Sequence, residues 1–247
     1  MCDKKESQVQ QNSRTSAFIL GAFIFIGLSA LGYLLGNAAI EYKQYDRSVT
    51  VKGLSEREYG ADIVIWPIQF TVAGNELGDL YEAIEKKSVK IKEFLGKNGI
   101  RPEEITLASP AITDKSAQQY GNNGRAEFRY TAIQTVTVYS KEIKMVRSVM
   151  ALLSKLGKEG IVFTAGNYDS RTEYLFTRLN EVKPEMIEEA TRKAREVAEK
   201  FASDSQSKLG KIKRASQGQF SISARDKNNP HIKKIRVVST VAYYLSD

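Results

Sequence analysis

The sequence predicts an α+β protein: a single N-terminal transmembrane helix followed by one domain of largely antiparallel sheet with three helices. Three observations predict it. A charge-free stretch of 26 residues separates Arg14 from Glu41. Beyond it, β-branched and aromatic runs of period two are grouped around three patterns of helical period. Each helical pattern closes on a glycine, a grouping that favours an antiparallel sheet covered by helices.

Within the charge-free stretch, Ala17 to Gly36 reads AFILGAFIFIGLSALGYLLG, with polar groups only at Ser29 and Tyr33. Twenty helical residues span roughly 30 Å, the thickness of a bilayer's hydrocarbon. Eleven of them are Phe, Ile or Leu, together favouring insertion by about 3–7 kcal/mol. A cleaved signal sequence is the alternative, with Gly36-Asn37-Ala38 as its cleavage site. The apolar run exceeds the usual core of a signal peptide, so the expectation is an uncleaved anchor. A lipoprotein is excluded because Cys2 has no apolar run before it. The organisation is therefore a tail at 1–14, an anchor at 15–40 contacting lipid through residues 17–36, and one domain at 41–247. Lys4, Lys5 and Arg14 face Lys43, Arg47, Lys52 and Arg57 across the span, so charge alone leaves its orientation open.

In the domain, Ser48–Leu54 reads as a short strand and Asp62–Ala73 as a second. Its apolar block Ile63–Trp66 suggests burial on both faces. Pro67 lacks a ladder donor, which predicts a bulge or an edge there. Asp79 caps a helix running through Asn98, with Leu80, Ile84, Ile91 and Leu95 inward and Gly99 as its stop. A strand follows near Ile105–Ile112. Tyr120 to Gly124 reads as a turn leading into the strand Ala126–Tyr139. Lys141–Leu156 is a second helix, with Ile143, Val146, Val149, Met150 and Leu153 on one face and Gly157 at its end. Strand Ile161–Tyr168 continues into Thr172–Thr177. The third helix has Pro184 in its first turn and runs to Leu209, with Gly210 as its stop. Its inner face is Ile187, Ala190, Ala194, Val197, Phe201 and Ala202, with alanines 190, 194, 198 and 202 allowing close packing. Strands Ile212–Ala224 and Lys234–Leu245 complete the chain.

Composition limits the chemistry. The chain has 37 Lys and Arg against 29 Asp and Glu, one cysteine and one histidine. A lone Cys2 excludes an internal disulfide and a cysteine-rich metal site. His231 stands between Pro230 and a basic strand with no serine or cysteine motif near it, so it does not read as a catalytic base. Glu103-Glu104, adjacent on a turn after proline, reads as capping or solvating that turn rather than as an acid–base pair. Lys141, Glu142 and Lys144 read as helix surface. Gly53, Gly60, Gly74 and Gly78 are too scattered to cradle a phosphate, and no phosphate loop, dinucleotide fingerprint, HExxH or EF-hand is present. No catalytic, cofactor-binding or metal-binding residue is assigned. Lys and Arg at 192, 193, 195, 200, 208, 211, 213 and 214 form the densest basic region. They alternate with glutamates and carry no interleaved aromatics, which argues against nucleic acid and for anionic lipid or polymer.

Five pieces together resemble the SIMPL-domain family of bacterial envelope proteins. They are Val49-Thr50-Val51-Lys52-Gly53; Ala61-Asp62 opening a strand; Asn98-Gly99-Ile100 followed by Pro102-Glu103-Glu104-Ile105; the turn and strand from Tyr120 to Val138; and the alanine-spaced helix ending in Lys208-Leu209-Gly210-Lys211-Ile212. The resemblance covers about residues 47–245. The chain departs from it where Ala61 replaces a frequent proline, and at Ser203 to Ser207, where a glycine is common. The resemblance implies a periplasmic or envelope location, no agreed catalytic residues and, for some members, tolerance of oxidative stress. The expectation is a single-pass inner-membrane protein with its C-terminal domain in the periplasm. It is non-enzymatic, needs no cofactor, and acts through homo-oligomers or an unidentified protein partner. The alternative is an envelope enzyme whose active site the sequence does not display. Against assembly stands the view that charges such as Lys233, Lys234 and Arg236 blunt a sheet edge; the same charges can equally form the rim of an interface.

Overall fold

The computed structural model describes residues 3–117, 127–164 and 170–246. It has the expected α+β class: an apolar N-terminal helix, then antiparallel sheets and further helices. The expected turn from Tyr120 to Gly124 lies outside the described residues, as do Ala126 and the end of Ile161–Tyr168; the strand expected from Ala126 starts at Tyr130. Helix α1 covers Asp3–Tyr45. Its segment Phe18–Lys43 is long and apolar enough to cross a membrane, with mean hydropathy 2.3 and no buried residue. Contacts divide the chain into two compact units.

One unit contains residues 1–54, 188–218 and 238–247. It holds α1, the start of strand β1 (Ser48–Gly60), most of helix α5 (Leu179–Asp204), strand β8 (Lys208–Gln217) and the end of strand β10 (Ile232–Ser246). Here β10 lies between β1 and β8, with β8 at the sheet's edge. The small core is Val51, Ala194, Ala198, Val241 and Tyr243. Ala190, Ala194, Ala198 and Ala202 are all buried, as their spacing predicted. A methyl group placed on Gly53 would stand 1.8 Å from the Ala190 carbonyl oxygen. Strand and helix touch backbone to backbone, so only glycine and alanine fit. So close an approach buries a narrow strip. That is why Val197 and Phe201, expected inside, are exposed one position off the alanine row.

Helix α5 also begins and ends differently from expectation. It starts five residues before Pro184, which lies inside it. It stops at Asp204 because the serines that follow satisfy its last carbonyls. The Ser205 hydroxyl lies 2.9 Å from the Phe201 oxygen and 3.1 Å from that of Ala202. The Ser207 amide donates to the same Ala202 oxygen at 2.9 Å. Leu209 and Gly210 consequently belong to β8 rather than to a helix terminus.

The other unit contains residues 55–187 and 219–237. Its sheet runs β3-β5-β2-β6, with β4 beside β5 and β7 beside β2. The strands are β2 (Ile63–Gly74), β3 (Ile105–Leu107), β4 (Ala111–Asp114), β5 (Tyr130–Ser140), β6 (Val162–Phe163) and β7 (Glu173–Leu175). The predicted Ile105–Ile112 strand is thus two pieces. One face of β2 is fully buried at Val64, Trp66, Ile68, Phe70 and Val72, while Ile65 opposite is only partly covered. Helix α2 (Leu77–Lys97) packs on β2 and β5 through Leu80, Ile84, Ile91 and Leu95. Its N-cap is Glu76, not Asp79, which sits in the first turn. Gly99 takes φ +94° just past the end, as a helix stop requires.

Pro67 causes neither bulge nor edge. It pairs with Thr137 in an unbroken β2–β5 ladder from Val64 to Gly74. The Gln69 oxygen accepts from the Thr164 amide on the β6 side. Residues two apart point the same way along a strand. The missing donor of Pro67 therefore faces away from β5, between the stretches of β2 that pair with β7 and with β6. The expected second helix is broken into α3 (Ile143–Ala151) and α4 (Ser154–Lys158), with i to i−3 bonds at Leu152 and Leu153. Gly157 lies inside α4, and Gly160, at φ +85°, makes the stop.

Strand β1 is longer than predicted because its charged second half is matched by partners. Glu56 pairs with Lys234 at 3.1 Å, Arg57 with Glu185 at 2.7 Å and Glu58 with Arg225 at 3.6 Å. Strand β9 (Ser221–Ala224) pairs with Lys233–Arg236 of β10. Lys233, Lys234 and Arg236 therefore sit on an inner strand and blunt no edge.

Candidate functional site

His231 and the Glu103-Glu104 pair are each held by neighbouring groups. His231 precedes β10, and its carbonyl accepts from the Ala61 amide at 2.8 Å. Arg147 Nη1 donates to His231 Nε2 at 2.8 Å, and the Tyr174 ring lies 6.0 Å from the imidazole. Burial, then the charges of Arg147 and Arg225, lower the pKa of His231. Its one free acceptor nitrogen is thus occupied by a permanent cation, so it cannot collect a proton for catalysis. The other nitrogen, Nδ1, is buried without a partner among the described residues.

Glu103 and Glu104 are separated by environment. Glu104 is buried, accepts the Arg101 amide at 3.0 Å and pairs with the Arg101 guanidinium at 3.1 Å. The Arg101 side chain, with Ser140 and the Arg101 amide, overcomes burial and holds its pKa down at about 2. Glu103 stays exposed, 3.5 Å from Arg101. This is a cap on a short 3-10 turn at Pro102–Glu104, not an acid–base pair. Lys141, Glu142 and Lys144 are exposed, as expected. On α5, Lys193–Glu189, Arg195–Glu199 and Arg192–Glu196 form i,i+4 pairs on a solvated face. Cys2 lies outside the described residues.

Sequence reasoning missed a groove between α2 and the edge strand β3. Its volume is about 340 Å³, and Tyr81, Val89, Leu107 and Pro110 form its apolar walls. Ser88 and Gln134 make its floor. The Ser88 hydroxyl lies 2.7 Å from Gln134 Oε1 and 2.9 Å from the Ile84 oxygen, and Gln134 Nε2 donates to the Ala108 oxygen at 2.9 Å. Amide oxygens are not bases, so this serine is not activated as a nucleophile. The only advance signal was a glutamine at an inward position of an otherwise apolar strand face.

Beside the groove the chain is open. Residues 105–113 carry no charge, and among the described residues β3 and β4 pair on one side only, with β5. Another edge strand, β8, is exposed along nearly its whole length and carries Lys208, Lys211, Lys213 and Arg214. Among the described residues no three His, Cys, Asp or Glu side chains are grouped to hold a metal.

These features define a class: an α+β protein with open sheet edges, carried behind one apolar N-terminal helix. The SIMPL family, described as a protein of unknown function (DUF541), matches residues 49–240. The chain belongs to that family. No curated protein matches it.

Proposed function

We propose that this SIMPL protein is anchored in the inner membrane by α1, holds its folded part in the periplasm, and works by associating with further copies of itself. The observation that carries this reading is the uncharged edge at residues 105–113 beside the groove. An open edge is a template for a further strand. Two β3 strands can pair about a two-fold axis without opposing like charges, whereas two β8 strands would bring eight cations together. Anchoring confines copies to a plane and raises their effective concentration, so a short edge contact becomes populated. Protection against oxidative stress is the physiological setting that the family resemblance suggests. Such a role needs no catalytic group of its own.

The test is disulfide crosslinking of the full chain in membranes, with Cys2→Ser as background. Thr106→Cys should give a dimer on mild oxidation, and Lys211→Cys should not. A chain that remains monomeric through both positions, and sediments as a monomer in detergent, rules self-association out. Protease added to spheroplasts should digest the folded part; full protection would place it in the cytoplasm.

A further inference from the structure

We propose that strand β8 rests on the headgroup layer of the membrane that α1 crosses, and that Lys211 and Arg214 bind anionic lipid there. The inference rests on the anchor reading of α1. Strand β8 presents a basic, water-facing surface: nearly every residue is exposed, and four of its ten are cations. Ile212 is 50% exposed among them. Lys211 and Arg214 have no ion-pair partner among the described residues.

What gives this strand a partner is where it is tied. Lys213 Nζ pairs with the Asp46 carboxylate at 2.5 Å and reaches the Asp46 carbonyl at 3.4 Å. The Leu245 amide, on neighbouring β10, donates to the Arg47 carbonyl at 2.9 Å. Asp46 directly follows α1, which runs unbroken to Tyr45. Nine helical residues past Gly36 correspond to about 14 Å, of which the headgroup layer takes roughly 5–8 Å. The cations of β8 thus begin about one physiological Debye length from the lipid phosphates, and lysine and arginine side chains span the remainder.

The surroundings match a membrane interface. The ammonium of Lys213 lies 5.3 Å from the centre of the Tyr244 ring. Tyr42 on α1 also bears on its charge. Tyrosines with basic residues beside them are the usual composition of the boundary between lipid and water. Lys43 and Arg47 add positive charge at the same level, against Glu41 and Asp46. A second copy of β8 is the poorer occupant, because its own cations oppose it. An anionic bilayer supplies the opposite charge and a place for Ile212 at once.

The test uses the full chain, with Cys2→Ser and a nitroxide label at Ile212→Cys, in two kinds of vesicle. One is phosphatidylcholine alone; the other contains about one-third phosphatidylglycerol, the anionic component. Access of a water-soluble nickel chelate to the label should fall severalfold on the anionic vesicles only. The shielding should disappear in about 1 M salt, where the Debye length is roughly 3 Å. Each cation near such a surface is worth roughly fivefold in lipid preference, so Lys211→Gln with Arg214→Gln should weaken it about 25-fold. The salt response of the unneutralised chain keeps the test valid if that double variant folds poorly. Equal access on both vesicles overturns the inference. So does shielding that ignores lipid charge and follows protein density, which would mean a second copy. A chain that fails to float with either vesicle refutes the anchor itself, and this inference with it.

Discussion

Gly53 shows how much one residue can decide. No side chain fits between β1 and α5, since even a methyl would overlap the Ala190 carbonyl. Gly53→Ala should cost about 3 kcal/mol or more, because backbone on both sides has to move. The thermal midpoint measures it, and an unchanged midpoint would show that the two elements do not touch there. Glu104 makes a prediction about acid. Its pKa in the folded chain is held at about 2, below the 4.5 of a free glutamate side chain. A depressed carboxylate pKa means stability present above the unfolded pKa and lost as pH falls through 4.5 towards 2. Glu104→Gln should be less stable at neutral pH by roughly 1–3 kcal/mol and lose less on acidification. Urea midpoints across that range would show it. His231 acts in a higher window. Its pKa is lowered, so the unfolded chain takes up a proton first as pH falls through about 6.5. Stability should be complete above that value and decline below it. His231→Gln should flatten the decline; an equally steep curve would mean another group titrates.

At the scale of elements, α5 carries the sharpest expectation. Its alanine row is buried, with Ala194 fully so. Ala194→Leu should overpack the contact with β1 and β10 and lower stability by about 1–3 kcal/mol. Val197→Ala, one strip outwards and exposed, should change it by less than about 0.5 kcal/mol. If both variants melt alike, the helix does not pack through this face. The spacing of the alanines was legible in the sequence. The width of the buried strip was not, since it depends on how near β1 comes. The second half of β1 was illegible for a related reason. Ser55 to Gly60 is charged and polar, and it extends as a strand because Lys234, Glu185 and Arg225 meet its charges from distant parts of the chain. Pro67 misled in the opposite sense. It is compatible with an inner strand when its missing donor faces unpaired space.

At the scale of the whole molecule, the apolar helix makes one more prediction. Phe18–Lys43 is long and apolar enough to span a bilayer. The mature protein should therefore keep residues 17–36 and fractionate with membranes after carbonate washing. Intact mass spectrometry of the detergent extract decides it, because a chain beginning near Ala39 would mark a cleaved signal. The sheet edges complete this scale. Lys233, Lys234 and Arg236 looked like edge charges in the sequence but lie on β10, an inner strand. The protecting cations belong to β8, and the unprotected edge is at 105–113.

The sequence by itself determined the α+β class, the apolar helix, the inward face of α2, the buried alanine row of α5, and the SIMPL resemblance. The resemblance rests on the order of five short motifs, and the rest follow from local periodicity and length, all written in neighbouring residues. Only the tertiary structure decided which strands lie inside a sheet, where α5 stops, and that a groove opens between α2 and β3. It also decided that His231 has its acceptor nitrogen closed by Arg147. The reason is common to all of these. Strand order, charge pairing and cavity shape depend on residues that meet across long separations, and which of them meet is settled only when the helices and strands pack.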